Sequence, residues 1–186
     1  TGNTGIDALL WMVARLRGGD GEEFARKWAH LRSDRPLILC TLHRRESFGE
    51  TMAGFMQALV SLARTTMAEL VLPLHPNPEV QKAAAVFERE KPKNLHVVSP
   101  LDYREFLWLM DRCSFLISDS GGVQEEAPAL GKPVIVARDK TERPEAVESG
   151  ANILAGADPL SIMNHANRLL SDKTVDRKST RLNSSH

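Results

Sequence analysis

The chain has 186 residues, a length that suits one domain with a sizeable core. Its 24 Lys and Arg balance 24 Asp and Glu, so no net field draws it to nucleic acid or to an anionic membrane, and any anion site must be local. No run of about 18 apolar residues offers a membrane span, and no signal peptide or CxxC spacing accompanies Cys40 and Cys113. Each lies in an apolar stretch and reads as a buried thiol of a reducing compartment, so the expectation is a soluble, cytoplasmic protein.

The chain opens TGNTGIDALLWMVARL, a loop running into a helix with no strand ahead of it. The first strand expected is Pro36–Thr41 (PLILCT). Directly after it comes TLHRRESFGE, residues 41–50, which sets His43, Arg44, Arg45 and Glu46 at a strand end. Such a group can meet an anion, protonate a leaving group or form a solvated salt-bridge cluster, and for the two arginines alone the cluster is the better reading. Ser47-Phe48-Gly49-Glu50 has the form of a capping box for a helix running to about Thr66. The strand Leu70–Leu74 follows and ends at LHPNPEV, where His75 could face a ligand or bond to its own loop. Asn77-Pro78 caps the next helix, and Leu95–Val98 is the third strand.

Asp102-Tyr103-Arg104-Glu105 opens a helix through about Asp111. Phe106 in it suits the core by spacing, or could flank a base near the strand end. Phe115–Ile117 is the fourth strand, and SDSGGVQEEAP, residues 118–128, leads from it into a helix stopped by Gly131-Lys132-Pro133. Strands Val134–Val136 and, weakly, Asn152–Leu154 follow, with RDKTERPEAVESG and its Arg143 between them. Asp158-Pro159 starts the last helix. Beyond about Asp172 the chain turns polar and ends DRKSTRLNSSH. The expected division is therefore a domain over 1–172 and a disordered or foreign tail over 173–186, in which the sequon at Asn183 has no meaning for a cytoplasmic chain. Trp11, Trp28 and Trp108 fall among apolar helix positions and are expected in the core. His30, His96 and His165 have no chemical company and carry no role.

The strands are nearly all apolar rather than alternating, as expected when helices cover both faces. Strand and helix alternate, so the predicted fold is α/β with a doubly wound parallel sheet. In such a sheet ligands sit beyond the carboxyl ends of the strands, where SDSGG falls. Gly121 and Gly122 remove side chains that would keep a phosphate from the unpaired N–H groups of a helix start, and Ser120 adds a hydroxyl. Glu126, four residues past Gly122, lies one turn along the same face, within reach of ribose hydroxyls. An ordinary tight turn with exposed acids is the competing reading. Gly131-Lys132 is no Walker loop, since Glu126 stands at its first glycine and Pro133 at its Ser/Thr.

Read together, TLHRRESFGE, LHPNPEV, PLDYREFLWLM and SDSGGVQEEAPALGKPVIVARDKTERPEAVESGAN resemble the non-hydrolysing UDP-N-acetylglucosamine 2-epimerases, over about Thr1 to Leu170. The resemblance implies a Rossmann-like, UDP-binding C-terminal domain of a glycosyltransferase-B type two-domain enzyme. It implies interconversion of UDP-GlcNAc and UDP-ManNAc without a redox cofactor, by elimination and re-addition of UDP. On that resemblance, Ser120, Gly121 and Gly122 hold the phosphates, Glu126 takes the ribose, Phe106 lies on the uracil side, and Arg143 is a further contact. His43 sits by the leaving diphosphate as an electrostatic or acid partner, and Arg44, Glu46 and His75 contact a second UDP-GlcNAc acting as activator. A homodimer is implied for the full-length protein. The family's carboxylate acid/base groups belong to an N-terminal domain not in this chain, so the chain is expected to hold UDP weakly and not to epimerise. The alternatives are the same half of a UDP-sugar glycosyltransferase, a non-catalytic nucleotide-sugar-binding module, or a hydrolysing epimerase.

Overall fold

The computed structural model of the chain describes residues 4–42, 50–90, 92–140, 147, 150–156 and 158–171. Among the described residues six strands form one parallel sheet: β1 (Leu37–Thr41), β2 (Glu69–Pro73), β3 (Leu95–Val98), β4 (Phe115–Ser118), β5 (Val134–Val136) and β6 (Asn152–Leu154). Their order is β3-β2-β1-β4-β5-β6, the doubly wound arrangement that the alternation of elements predicts. Strand boundaries match expectation to within one residue. The charged Glu69, not expected in a strand, opens β2 at 4% exposure. It is tolerated because His96 Nε2 lies 2.8 Å from one carboxylate oxygen and Arg35 donates to the other at 3.4 Å.

Apolar strands serve two cores. Ile38 and Cys40 of β1, Leu70 and Leu72 of β2, and Phe115 and Ile117 of β4 face the helices α3 (Glu50–Thr65), α4 (Pro78–Glu90) and α7 (Pro159–Ser171). Leu39, Val71 and Leu116, one residue out of phase, face α1 (Thr4–Arg15), α2 (Glu22–Lys27), α5 (Tyr103–Arg112) and α6 (Gly121–Ala129). Side chains alternate along a strand, so both faces must be apolar when both are covered. Cys40 and Cys113 are fully buried, and burial pushes both thiols up, that of Cys113 to about 12.

The expected helix starts are built as written. Asp102 Oδ1 accepts from Glu105 N at 2.8 Å, Asn77 Oδ1 accepts from Glu79 N at 2.8 Å, and Asp158 accepts from Leu160 N and Ser161 N at 3.2 Å each. The capping box at Ser47 and the tail from 173 onward lie outside the described residues. Among the described residues no helix is long and apolar enough to cross a membrane.

One core expectation is corrected. Trp28 and Trp108 are buried, but Trp11 is 58% exposed, with the Arg15 guanidinium 5.0 Å from its ring. Helix α1 buries Leu9 and Val13, and Trp11, two residues from Leu9, lies ~200° round the helix from it. An apolar residue between two apolar positions is not thereby on the buried stripe.

Helix α6 contains Pro128, whose ring nitrogen cannot donate to the carbonyl of Gln124 one turn back. Asn152 of β6 takes over that duty: its Nδ2 donates to Gln124 O at 3.1 Å, with both residues almost fully buried. The helix then stops at Gly131 (φ 70°), where Gly131 N donates to Pro128 O at 2.9 Å and Lys132 N to Ala127 O at 2.9 Å. Lys132, itself buried, donates Nζ to Cys113 O at 2.9 Å and so ties the end of α6 to the approach to β4.

Candidate functional site

The direction of strand addition reverses between β1 and β4: β1 leads outward to β2 and β3, β4 to β5 and β6. A crevice opens at such a switch point beyond the carboxyl ends of the two strands. The register pairs Thr41 with Ser118. The stretches 41–50 and 118–128, separate in sequence, therefore set out from neighbouring strand ends.

The turn after β4 is held from below. Ser118, fully buried, shares a 2.7 Å hydroxyl–hydroxyl bond with Thr41, and its Oγ accepts from Ser120 N at 3.0 Å. Asp119 N reaches Thr41 O at 3.4 Å. These bonds set Ser120 in an extended conformation (φ −78°, ψ 130°) as the residue ahead of α6, and its hydroxyl makes no capping bond. The first bond inside the helix runs from Gln124 N to Ser120 O at 3.3 Å. Among the described residues the N–H groups of Gly121, Gly122 and Val123 have no backbone acceptor. No acidic residue stands in that first turn to compensate the positive end of the helix.

The two glycines have no conformational reason to be glycine. Neither has a positive φ, both lie in α6, and glycine in a helix costs roughly 0.5–1 kcal/mol against alanine. Among the described residues a Cβ built on Gly122 meets only Ser120 Oγ, at 4.0 Å. The protein leaves that approach open, and a group that must come close to the backbone N–H is what a side chain would displace.

One turn into α6 the Glu126 carboxylate is half-buried, and Tyr103 Oη donates to its Oε1 at 3.1 Å. Burial raises the Glu126 carboxyl above its ordinary value; the Tyr103 bond lowers it, and the neighbouring charge of Glu125 raises it. The Tyr103 phenol is pushed up to about 12, by burial first and by the Glu126 charge second. Phe106, one turn beyond Tyr103 on α5, is half-buried and packs on the α1/α5/α6 core. Ser120, Gly121, Gly122, Glu126 and Phe106 thus all lie on α5, α6 or the turn between β4 and α6, with the Tyr103–Glu126 bond joining the two helices.

His75 follows β2 at the same sheet edge and is exposed. Its Nδ1 accepts from Asn77 N at 3.2 Å, and Gln81 Nε2 donates to its carbonyl at 3.1 Å, so it is bonded to its own loop. His43, Arg44, Glu46 and Arg143 lie outside the described residues. Residue reasoning missed Thr41, Ser118 and Tyr103. The signal for the first two was a hydroxyl ending an apolar strand; for Tyr103 it was a phenol at the first position of a helix already holding Phe106 one turn on.

These features define a class: a doubly wound α/β domain with an uncapped helix N-terminus at its switch point. The UDP-N-acetylglucosamine 2-epimerase family model matches residues 1–184, and the chain belongs to that family. It is 43% identical over 176 residues to the UDP-N-acetylglucosamine 2-epimerase of Escherichia coli (strain K12), a match covering 93% of this chain and 46% of that protein. Among solved structures, the Neisseria meningitidis UDP-GlcNAc 2-epimerase bound to UDP-GlcNAc superposes with a TM-score of 0.88 at 36% identity, covering 96% of this chain and 48% of the other. The Methanocaldococcus jannaschii UDP-GlcNAc 2-epimerase in complex with UDP-GlcNAc and UDP superposes with a TM-score of 0.77 at 29% identity, over 92% of this chain and 47% of the other. The chain spans about half the length of the relatives it matches.

Proposed function

We propose that this chain is the UDP-holding half of an enzyme that interconverts UDP-GlcNAc and UDP-ManNAc by eliminating and re-adding UDP, residues 1–172 forming the nucleotide-binding domain of a glycosyltransferase-B type protein. The observation that carries this reading is the pair of helical glycines at the switch point, with no positive φ and with N–H groups that meet no backbone acceptor among the described residues. In the reading, Ser120, Gly121 and Gly122 hold the diphosphate, Glu126 accepts from the ribose, Phe106 flanks the uracil and Arg143 adds a contact. Elimination places new charge on the departing phosphate, and fixed N–H donors at that point stabilise it without reorganising during the reaction. His43, two residues past the end of β1, serves as electrostatic or acid partner to the leaving group. Arg44, Glu46 and His75 contact a second UDP-GlcNAc acting as activator. The carboxylates that remove and return the C2 proton belong to the N-terminal half of the parent protein. That protein works as a cytoplasmic homodimer supplying a nucleotide sugar for polysaccharide. The chain by itself binds UDP weakly, because half the ligand's partners are elsewhere and the seat stays wet, and does not turn over.

The test uses this chain and the parent protein in parallel. UDP-GlcNAc incubated in deuterated water with the parent protein gains deuterium at C2 and equilibrates with UDP-ManNAc. Failure of deuterium to enter the sugar, or release of free ManNAc, overturns the reaction assigned. Turnover by the 186-residue chain alone overturns its assignment as a half-enzyme.

A further inference from the structure

We infer that Tyr103 is a positioning residue of the nucleotide seat, its hydroxyl holding the Glu126 carboxylate in the orientation that reads the ribose diol. The inference rests on the reading of Glu126 given above and adds to it a residue on a different helix. Tyr103 is 51% exposed at the first position of α5, so core packing does not account for an aromatic side chain there. What it does make is the 3.1 Å bond to Glu126 Oε1, which links α5 to α6 about one turn past the start of α6. Its own base is firm, since Asp102 caps α5 through Glu105 N at 2.8 Å.

A glutamate side chain on a helix surface has three rotatable bonds, and ordering it costs rotamer freedom. A tyrosine has two and is stiffer. Clamping one oxygen of Glu126 before the ligand arrives removes part of that cost from binding. An ionised carboxylate only accepts, with two oxygens and about four lone-pair sites. Tyr103 occupies one site on Oε1, which leaves Oε2 and the rest of Oε1 for the two donors of a vicinal diol. The bond also keeps the group an acceptor. Burial and Glu125 both push Glu126 toward its protonated form, and the Tyr103 hydroxyl opposes them. Phe106, three residues on along α5, shares the face of Tyr103, so one turn of helix serves both the base side and the ribose side of a uridine.

The experiment titrates UDP and 2′,3′-dideoxy-UDP into the 186-residue chain, wild type, Tyr103→Phe, Glu126→Ala and the double variant, by NMR and across pH. Removing one hydrogen bond to a charged group should weaken UDP about three- to tenfold in Tyr103→Phe, with the folded spectrum unchanged. Dideoxy-UDP should stay within about twofold of wild type, and in the Glu126→Ala background Tyr103→Phe should change UDP affinity by less than about twofold, because the group it acts through is gone. The acid limb of UDP binding should move to higher pH in Tyr103→Phe, since loss of the donor leaves burial to raise Glu126 further. Equal losses for both ligands, or a loss that persists in Glu126→Ala, overturns the positioning role. If Glu126→Ala erases the preference for UDP over the dideoxy compound while Tyr103→Phe leaves it, Tyr103 alone is wrongly assigned. If Glu126→Ala leaves that preference intact, or wild type binds no UDP, the ribose reading itself falls.

Discussion

At its amino end, helix α6 has two glycines with ordinary backbone angles and N–H groups that meet no backbone acceptor among the described residues; at its carboxyl end it has Gly131, at φ 70°, with the closing bonds to Ala127 and Pro128 made. The same residue type answers two different needs. Gly131 is required by the fold, because a side chain in the left-handed region crowds the backbone whether or not a ligand is present. Gly122 is required by nothing among the described residues: its backbone angle is ordinary, and of those residues only Ser120 Oγ, at 4.0 Å, meets an added Cβ. The contrast separates a glycine the backbone angle demands from one it does not, without reference to other sequences.

Substitution at the two ends should break in opposite directions. Gly122→Val is expected to lower UDP affinity of the chain by about ten- to a hundredfold, the loss of one or two charge-assisted hydrogen bonds, while its melting temperature does not fall. Titration beside a thermal melt reads both, and unchanged affinity would return the seat to an ordinary turn. Next in size is the inner support of α6. Asn152→Ala strips the Gln124 carbonyl of its donor and should cost about 1–3 kcal/mol in denaturant unfolding. Pro128→Ala restores a backbone N–H to that carbonyl, so it should recover more stability in the Asn152→Ala background than in wild type, a coupling a double-mutant cycle detects. Gly131→Ala should cost about 1–2 kcal/mol of stability and leave UDP binding where it was.

The smallest effect concerns Glu126. Its carboxyl is raised above the unfolded value by burial, so its contribution to stability is present below the unfolded pKa and is lost as pH rises through the folded one. Glu126→Gln should therefore raise the melting temperature slightly at neutral pH and not in acid, while weakening UDP. Thermal melts at the two pH values check the sign.

Some of this was legible before the fold was known, and for local reasons. The apolar strands bounded by turn residues, the caps at Asn77, Asp102 and Asp158, and the glycine stop at Gly131 are each written within a few neighbouring residues. The same holds for the placement of Ser120, Gly121, Gly122 and Glu126 at a strand-to-helix turn, since a turn and the first helix turn after it span fewer than ten residues. Trp11 shows the limit of that reasoning. Its apolar neighbours suggested burial, yet which arc of α1 meets α5 and α6 is decided by packing, and Trp11 lies off that arc.

The sequence by itself determined that strands covered on both faces alternate with capped helices and that paired glycines open one of those helices. These follow from side-chain period and backbone chemistry, which act over a turn or two. Only the tertiary structure decided that β1 lies beside β4, so that Thr41 meets Ser118 across 77 residues. It likewise decided that Asn152 answers for the bond Pro128 cannot make, and that Tyr103 reaches Glu126 from another helix. Those contacts depend on the order in which six parallel strands line up, and strand order is set by how whole layers bury their faces together, which no short window of residues contains.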